Sequence, residues 1–210
     1  QKPVLKDGKP QYYADGALKC TWPAQKPGDR LKKDGVYYGN TGSFIVDRFK
    51  DGTPSASSSN CEYVLCMMLD DIGTKSKVPP LEPTWIIETS QENYQYGYVF
   101  SEQPSKGEYT ALVKAIAEAG YTDPGSTNAV RNFRIPGSKN LKPSNDGFIS
   151  ILRQFRPETE YTMEDIVQAF GVTPAEPDTA THRPIRIDSA GDPVLKWLND
   201  QNLALSHVNN

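Results

Sequence analysis

The feature that most constrains the fold is an unbroken apolar run at residues 63–69, which is followed directly by Asp70 and Asp71. A run of this length without a polar interruption is typical of a strand buried on both faces, so we expect a central strand of a sheet. Carboxylates at the end of such a strand are costly to bury unless a metal ion, a cation or solvent compensates them. These two residues, the acid pair, either simply end the strand or mark a site.

Composition limits the class of protein. The chain has 210 residues, enough for one large domain with an appendage, and its 17 Pro and 16 Gly indicate many loops. No apolar run approaches the roughly 18 residues of a membrane span, so we expect a cytoplasmic protein without a membrane partner. A net charge of −3 argues against coating nucleic acid by global charge but allows a local basic groove.

Periodicity predicts the elements after the acid pair. Strands are expected at residues 85–89 and 94–100, joined by a hairpin through the polar residues 90–93. A helix is expected at residues 105–119, capped by Ser105 and ended by Gly120. Further elements are expected as a hairpin around residues 36–38, strands at 43–49 and 148–152, and helices at 163–170 and 192–201. This order predicts an α+β domain with a mixed or antiparallel sheet covered by helices on one side.

A second feature is the basic segment, residues 130–142, which contains Arg131, Arg134, Lys139 and Lys142 around a Pro-Gly turn. Arginine presents a planar fork of donors that matches phosphate oxygens, and lysine adds a point charge. A Pro-Gly turn followed by Ser138 can also direct backbone N–H groups toward an anion. The basic segment is therefore predicted to hold phosphate, and the alternative is a solvated basic surface.

The acid pair is chemically suited to a metal ion. Two hard carboxylates suit Mg²⁺ or Mn²⁺ holding a triphosphate. Successive side chains on a strand point to opposite faces, so both acids can reach one site only if the chain leaves the regular pleat, which Ile72 and Gly73 favour. A third carboxylate is expected, with Asp123, Glu88 and Asp146 as candidates. Asp123 is preferred because it lies just before the basic segment.

Taken in order, the acid pair, the Thr89-Ser90 turn and the basic segment resemble the primase–polymerase domain of the archaeo-eukaryotic primase superfamily. The resemblance is to the RepB-like primases of phages and plasmids and covers roughly residues 44–153. It implies a core related to the RNA-recognition fold, packed beside a small N-terminal α/β unit. It also implies template-directed, two-metal nucleotidyl transfer with Mg²⁺ or Mn²⁺, a single-stranded DNA template and nucleoside triphosphates.

The same resemblance implies a domain organisation. Residues 1–42 would be an irregular N-terminal segment, residues 43–172 the primase–polymerase domain, and residues 173–210 a linker with a C-terminal helix. The stretch at residues 194–198 resembles the start of the next module in phage primase–helicases. We therefore expect the chain to be a fragment of a longer replication protein with a downstream helicase module.

Carried over residue by residue, the resemblance implies roles for the acids. Asp70 and Asp71 match the metal-binding acidic motif, although the usual family pattern places one residue between its two acids. Asp123 would be the third catalytic acid. The adjacency of the first two acids departs from the family, so the metal ligation is expected to differ in detail.

The resemblance also implies a set of nucleotide-binding residues. Gln95 stands where the family generally has a histidine that touches the phosphates of the nucleotide, and an amide cannot carry that charge. The triphosphate would therefore depend more on the cations of the basic segment. The implied nucleotide-binding set is Thr89, Ser90, Gln95, Arg131, Arg134, Ser138, Asn140 and Lys142.

Three other functions compete with a primase. A catalytically weakened primase-like module that only binds DNA at initiation is favoured by Gln95 and by the adjacent acids. A metal nuclease stays open on the carboxylates alone. A nicking initiator of the paired-histidine type is disfavoured because the two histidines, His182 and His207, lie far apart in the sequence.

Overall fold

The computed structural model describes residues 2–3, 5–11, 20–21, 35–44 and 56–177. The chain divides into two compact units, Gln1–Asp178 and Thr179–Asn210, and every described residue belongs to the first. The helix predicted at residues 192–201 and most of the strand predicted at 43–49 lie outside the described residues. None of the described helices is long and apolar enough to cross a membrane.

The elements of the described part are short strands and two α-helices. The strands are β1 (Lys2–Pro3), β2 (Leu5–Lys6), β3 (Lys9–Pro10), β4 (Cys20–Thr21), β5 (Tyr38–Asn40), β6 (Gly42–Phe44), β7 (Cys61–Val64), β8 (Cys66–Ile72), β9 (Trp85–Ser90), β10 (Asn93–Phe100), β11 (Asn132–Arg134), β12 (Ile151–Phe155) and β13 (Glu160–Tyr161). The helices are α1 (Lys106–Glu118) and α2 (Met163–Phe170), and two 3-10 turns span Pro124–Ser126 and Pro143–Asn145.

The main sheet is organised around β10. Strand β10 pairs antiparallel with β8 on one side and with β9 on the other, and β12 pairs antiparallel with β9. Strand β13 adds a short parallel pairing at the end of β10. The other pairings are two-stranded and antiparallel: β1 with β4, β2 with β3, β5 with β11, and β6 with β7. The predicted α+β class with a mixed sheet is confirmed.

The apolar run at residues 63–69 forms two strands rather than one. Leu65, 42% exposed, separates β7 from β8, and its N–H donates to the carbonyl of Thr41 (2.8 Å). Burial on both faces is confirmed for β8, where Met67, Met68 and Leu69 are fully buried. The prediction of a central strand is wrong, because within the described residues β8 pairs with only one strand of the main sheet, β10.

The helices follow the sequence prediction. Ser105 caps α1, its Oγ accepts from the N–H of Glu108, and the Glu108 carboxylate accepts from the N–H of Ser105. The apolar stripe of α1 packs against one face of the main sheet, and the side chains buried between helix and sheet form the core. Helix α2 has the same capping arrangement at Thr162 and ends at Gly171, whose φ of 61° is left-handed.

Two other elements differ from the prediction. Within the described residues, 36–38 take no part in a local hairpin, and β5 pairs instead with the distant β11. Strand β12 begins at Ile151 rather than at residue 148, because Ile149 forms an isolated bridge with Lys139. Both differences come from pairing with the basic segment, which local periodicity does not reveal. The hairpin predicted through residues 90–93 is confirmed by the pairing of β9 with β10.

The face of the main sheet opposite α1 carries both apolar and polar side chains. The Trp85 ring lies against the backbone of Gly97 on the neighbouring strand, where a Cβ would come within 1.7 Å of the indole. Phe133 packs on Trp85 with a ring separation of 5.0 Å. Gly97 is therefore required for the close approach that carries β11 across the sheet.

We expect the substitution Gly97→Ala to destabilise the fold by about 1–3 kcal/mol, because the added methyl group forces Trp85 out of its place. Urea unfolding measures the change in the free energy of unfolding. In a double-mutant cycle with Trp85→Leu, the loss in the double variant should be smaller than the sum of the single losses. Strict additivity would show that the contact is not the cause.

Candidate functional site

The acid pair lies in a β-bulge within β8. Leu69 pairs with Tyr96 and Ile72 with Tyr94, so β8 has one more residue than β10 between these two pairs. Asp71 has a φ of 59°, in the left-handed region that aspartate tolerates better than most residues. The chain thus leaves the pleat at Asp71 itself, rather than at the expected Ile72 and Gly73. The acids also lie inside the strand rather than beyond its end.

Asp70 is the acid of the pair that contacts Gln95 and Arg131. Its Oδ1 accepts hydrogen bonds from Gln95 Nε2 (3.2 Å) and from the N–H of Asp71 (3.0 Å). Its Oδ2 lies 3.7 Å from a guanidinium nitrogen of Arg131. Burial raises the pKa of Asp70, and the charge of Asp71 adds to the rise, while these hydrogen bonds and Arg131 lower it only in part.

Asp71 has the opposite electrostatic balance. Its Oδ2 accepts from Lys75 Nζ (2.8 Å) and its Oδ1 from Asn93 Nδ2 (3.1 Å). Burial acts to raise the pKa of Asp71, but the hydrogen bonds from Lys75 and Asn93, followed by the charges of Lys75 and Lys142, lower it on balance. The two adjacent acids therefore have pKa values shifted in opposite directions.

A closed turn places Lys75 on Asp71. The carbonyl oxygen of Asp71 accepts from the N–H groups of Lys75 and Ser76, each at 3.0 Å. The hydroxyl of Ser76 donates to the carbonyl of Asp70 (2.9 Å). Residues 71–76 thus fold back on the bulge and hold the acid pair in place.

Gln95 joins the acid pair to the basic segment. It is 5% exposed and lies on β10, where its Nε2 donates to Asp70 and its Oε1 accepts from the N–H of Arg134 (3.0 Å). Both ends of the amide are therefore engaged. The contact fixes β11 on the same face of the sheet as Asp70.

Arg134 is a buried cation without an ion pair. It is 7% exposed, and no carboxylate of the described residues lies within ion-pair distance of it. Its guanidinium donates to the carbonyl of Lys139 (3.2 Å) and to Asn140 Oδ1 (2.8 Å), and it lies 5.0 Å from the centre of the Tyr38 ring. Burial lowers the pKa of Arg134, partly offset by Tyr38 and Asp70.

Asn140, Thr89 and Ser138 are buried and hold the basic segment. Asn140 Nδ2 donates to the carbonyl of Thr89 (2.8 Å), which ties the segment to the end of β9. Ser138 Oγ accepts from the N–H of Tyr37 (2.8 Å), which ties it to the residues before β5. Direct contact of these three residues with a nucleotide stays a prediction.

Arg131 lies between the acid pair and a 3-10 turn. Its guanidinium donates to the carbonyl of Gly125 (3.1 Å) and to Ser126 Oγ (2.6 Å), while its Nε is buried without a hydrogen-bond partner. Asp123 begins this turn, and its Oδ1 accepts from the N–H of Gly125 (3.2 Å). Asp123 thus stabilises the turn that orients Arg131.

Ser90 and Lys142 are the members of the predicted set with the most accessible side chains. Ser90 is partly exposed at the end of β9, and Lys142 is exposed at the end of the basic segment. The charge of Lys142 acts on Asp71, so it lies near the acid pair. Contact of either side chain with a nucleotide stays a prediction.

The third carboxylate expected from the sequence does not join the acid pair. Within the described ranges, no group of three or more His, Cys, Asp or Glu side chains could hold a metal ion. Glu88 is buried and forms an ion pair with Arg153. Asp146 has a left-handed backbone after the second 3-10 turn, and Asp123 caps the first. A catalytic role for Asp123 stays a prediction.

Sequence reasoning missed four contributors to the site. Tyr38 enters through the long-range pairing of β5 with β11, for which the sequence gives no local signal. Lys75 and Asn93 contact Asp71 through turns, and Arg153 neutralises Glu88. The spacing of Lys75, four residues after an acid in a Gly-Thr turn, is the one signal that could have found its contact.

Comparison with known proteins identifies a family. The model of the RepB DNA-primase N-terminal domain matches residues 48–196. A search of curated protein sequences found no significant match.

Among solved structures, the chain is similar to the AEP domain of the cyanophage S-2L primase-polymerase. The identity is 16%, with 63% of this chain and 69% of that chain covered and a TM-score of 0.47. It is also similar to the catalytic domain of primase RepB′ in complex with initiator DNA, at 21% identity, with 52% of this chain and 59% of that chain covered and a TM-score of 0.41.

The opposite pKa shifts of the acid pair predict opposite stability effects. The pKa of Asp70 is higher in the folded protein than the ordinary aspartate value of 3.8. Ionisation of Asp70 therefore weakens folding as the pH rises above 3.8, and Asp70→Asn should stabilise the protein at neutral pH. The gain should shrink as the pH falls toward 3.8. The pKa of Asp71 is lowered, so its ionised form strengthens folding above pH 3.8. Asp71→Asn should therefore destabilise the protein at neutral pH, and this effect should disappear as the pH falls below 3.8.

Urea unfolding of both variants between neutral pH and the ordinary aspartate pKa of 3.8, in the presence of a chelator, measures the two changes in the free energy of unfolding. Each variant is the control for the other, because both remove one carboxylate from the same bulge. If Asp70→Asn were the more destabilising at neutral pH, the assignment of Asp70 as the acid strained by burial would be wrong.

Proposed function

Because the chain belongs to the RepB DNA-primase N-terminal domain family, within the archaeo-eukaryotic primase superfamily, we propose that it joins nucleotides on a single-stranded DNA template by metal-dependent nucleotidyl transfer. A primase-type role in phage or plasmid replication follows from the family. The template-directed polymerase chemistry and its residues are our proposal. In the same proposal a helicase module follows this domain in a longer replication protein.

The observation that carries the proposal is the placement of the acid pair against the basic segment. Gln95 connects Asp70 to the N–H of Arg134 through one amide, and the charge of Lys142 acts on Asp71. Asp70 and the basic segment thus lie on one face of the sheet. This arrangement can hold an anionic substrate beside metal-binding oxygens.

In this proposal the acid pair supplies the protein ligands of one divalent metal ion. Mg²⁺ usually keeps several waters and is bound by one or two carboxylates together with substrate phosphates, so it does not need a third protein acid. Asp70 and Asp71 would hold Mg²⁺ or Mn²⁺. When bound, such an ion neutralises charge on the phosphate oxygens and lowers the pKa of a coordinated hydroxyl.

The protein residues divide the remaining work between binding and support. Lys142 and Ser90, with accessible side chains, bind the triphosphate, and Arg131 orients Asp70 while adding positive charge. Arg134 adds positive charge to the potential of the site, which the charge of Asp70 opposes in part. The basic segment is held rigid by four buried polar residues, Gln95, Thr89, Ser138 and Asn140. Little reorganisation of the site is therefore needed when the substrate binds.

The catalytically weakened DNA-binding module is the second candidate. It is favoured by the engagement of both ends of Gln95 within the protein, where the family generally has a histidine that touches phosphate. It is also favoured because no third carboxylate of the described residues joins the acid pair to hold a metal ion. Such a module would bind DNA without metal-dependent affinity for nucleotides.

We expect the double substitution Asp70→Asn/Asp71→Asn to abolish primer synthesis, because both metal-binding carboxylates are replaced by neutral amides of the same shape. Extension assays with Mg²⁺ or Mn²⁺, nucleoside triphosphates and single-stranded DNA measure it. Glu102→Gln is the matched control, since it removes an exposed carboxylate just beyond the other end of β10. Unchanged synthesis in the double variant would contradict the proposal, and absence of synthesis and of metal-dependent nucleotide binding in the unmodified protein would favour the second candidate.

Lys142→Ala should weaken nucleotide binding while changing stability by no more than about 0.5 kcal/mol, because the side chain is exposed. Titration of a nucleoside triphosphate with Mn²⁺ measures the affinity, and urea unfolding measures the stability. Lys114→Ala removes an exposed lysine from α1, on the other face of the sheet, and controls for net charge. Equal nucleotide affinities of the two variants would show that Lys142 does not bind the triphosphate.

A further inference from the structure

An apolar groove lies on the face of the main sheet opposite α1, beside the site but not part of it. Its volume is about 200 Å³. The lining side chains come from β9, β12 and the basic segment: Trp85, Ile87, Phe133, Pro136, Leu152 and Phe155. Phe155 is 59% exposed and Leu152 45% exposed, so the groove opens to solvent.

A second β-bulge aims these exposed side chains into the groove. Leu152 pairs with Ile87 and Phe155 with Trp85, although the two β12 residues are three apart. On a regular strand such residues would point to opposite faces, and the register shift between Leu152 and Gln154 brings them to the same one. Since Ile87 and Trp85 form the floor, the bulge completes the outer wall.

The groove borders the basic segment. Its inner wall consists of Phe133 and Pro136, which flank Arg134 in the basic segment. A chain lying in the groove would therefore run beside the basic segment.

The charge next to the groove is that of a polyanion receptor. Residues 131–145 include four cations and no acid. Glu88, the one acid of β9 and β12, forms an ion pair with Arg153, and Glu82, just before β9, forms one with Arg156. Arg134 is buried and Arg131 lies against Asp70, so Lys142, which is exposed, and Lys139, which is partly exposed, are the cations open to a ligand. An apolar floor with such lysines nearby is a combination that can bind single-stranded nucleic acid.

We propose that the groove binds bases of the single-stranded DNA template, with a base stacked on Phe155 and the phosphates along the basic segment. This rests on the proposed function, since it gives the template of that reaction its place. The lining has almost no hydrogen-bonding groups, so it cannot read base edges and accepts any sequence. Template contact here would leave the acid pair free for the nucleotide.

Fluorescence anisotropy with a labelled oligothymidylate tests the proposal at one fixed salt concentration, without metal or nucleotide. Phe155→Ala should weaken binding roughly 5-fold or more, and Phe155→Trp should retain it, because a larger ring still stacks. Val78→Ala is the matched control, since Val78 is also an exposed apolar side chain, 66% exposed, in the connection before β9. Circular dichroism checks that each variant is folded.

Unchanged DNA binding by folded Phe155→Ala would overturn the proposal. It would also be overturned if Phe155→Ala left DNA binding intact and converted an oligomer into a monomer in light scattering, because the groove would then join protein chains. The outcome is separable from that of the proposed function. Asp70→Asn/Asp71→Asn should bind the oligonucleotide normally, whereas Phe155→Ala should fail in binding even where no nucleotide is present.

Discussion

The side-chain amide of Gln95 is the contact on which the site depends. It lies buried on the central strand of the main sheet, donates to Asp70 and accepts from the backbone of Arg134. Loss of the amide would leave the buried N–H of Arg134 without that partner, at a cost of about 1–3 kcal/mol, and would remove one of the two hydrogen bonds to Asp70 Oδ1. A neutral amide holds both groups at every pH near neutrality, which a histidine would not do.

The ionic contacts distribute charge unevenly across this face. Arg131 lies against Asp70, Lys75 against Asp71 and Arg153 against Glu88, so each of these acids has a cation. Arg134, by contrast, is held by carbonyl and amide oxygens and by the ring of Tyr38. Its charge, which Asp70 opposes without forming an ion pair, contributes to the local potential and favours an anionic ligand beside the acid pair.

Elements with a strong local signal could be predicted from the sequence. Helices α1 and α2 follow from capping boxes and apolar stripes, and the hairpin of β9 and β10 from a polar turn between apolar strands. The position of β8 at the edge of the sheet could not be predicted, because burial on both faces looks the same for an edge strand covered by other segments. The pairing of β5 with β11 is a long-range contact without a local pattern.

The sequence by itself determined the α+β class, the family and the residue types of the site, because carboxylates, amides and cations at these positions carry their chemistry wherever they lie. Only the tertiary structure decided which of them meet. The left-handed Asp71 creates the bulge of the acid pair, and the burial of Gln95 turns a predicted phosphate ligand into a bridge. The apolar groove likewise exists only because a register shift in β12 brings Leu152 and Phe155 to one face. Registers and bulges depend on contacts between distant segments, and no local pattern of residues specifies them.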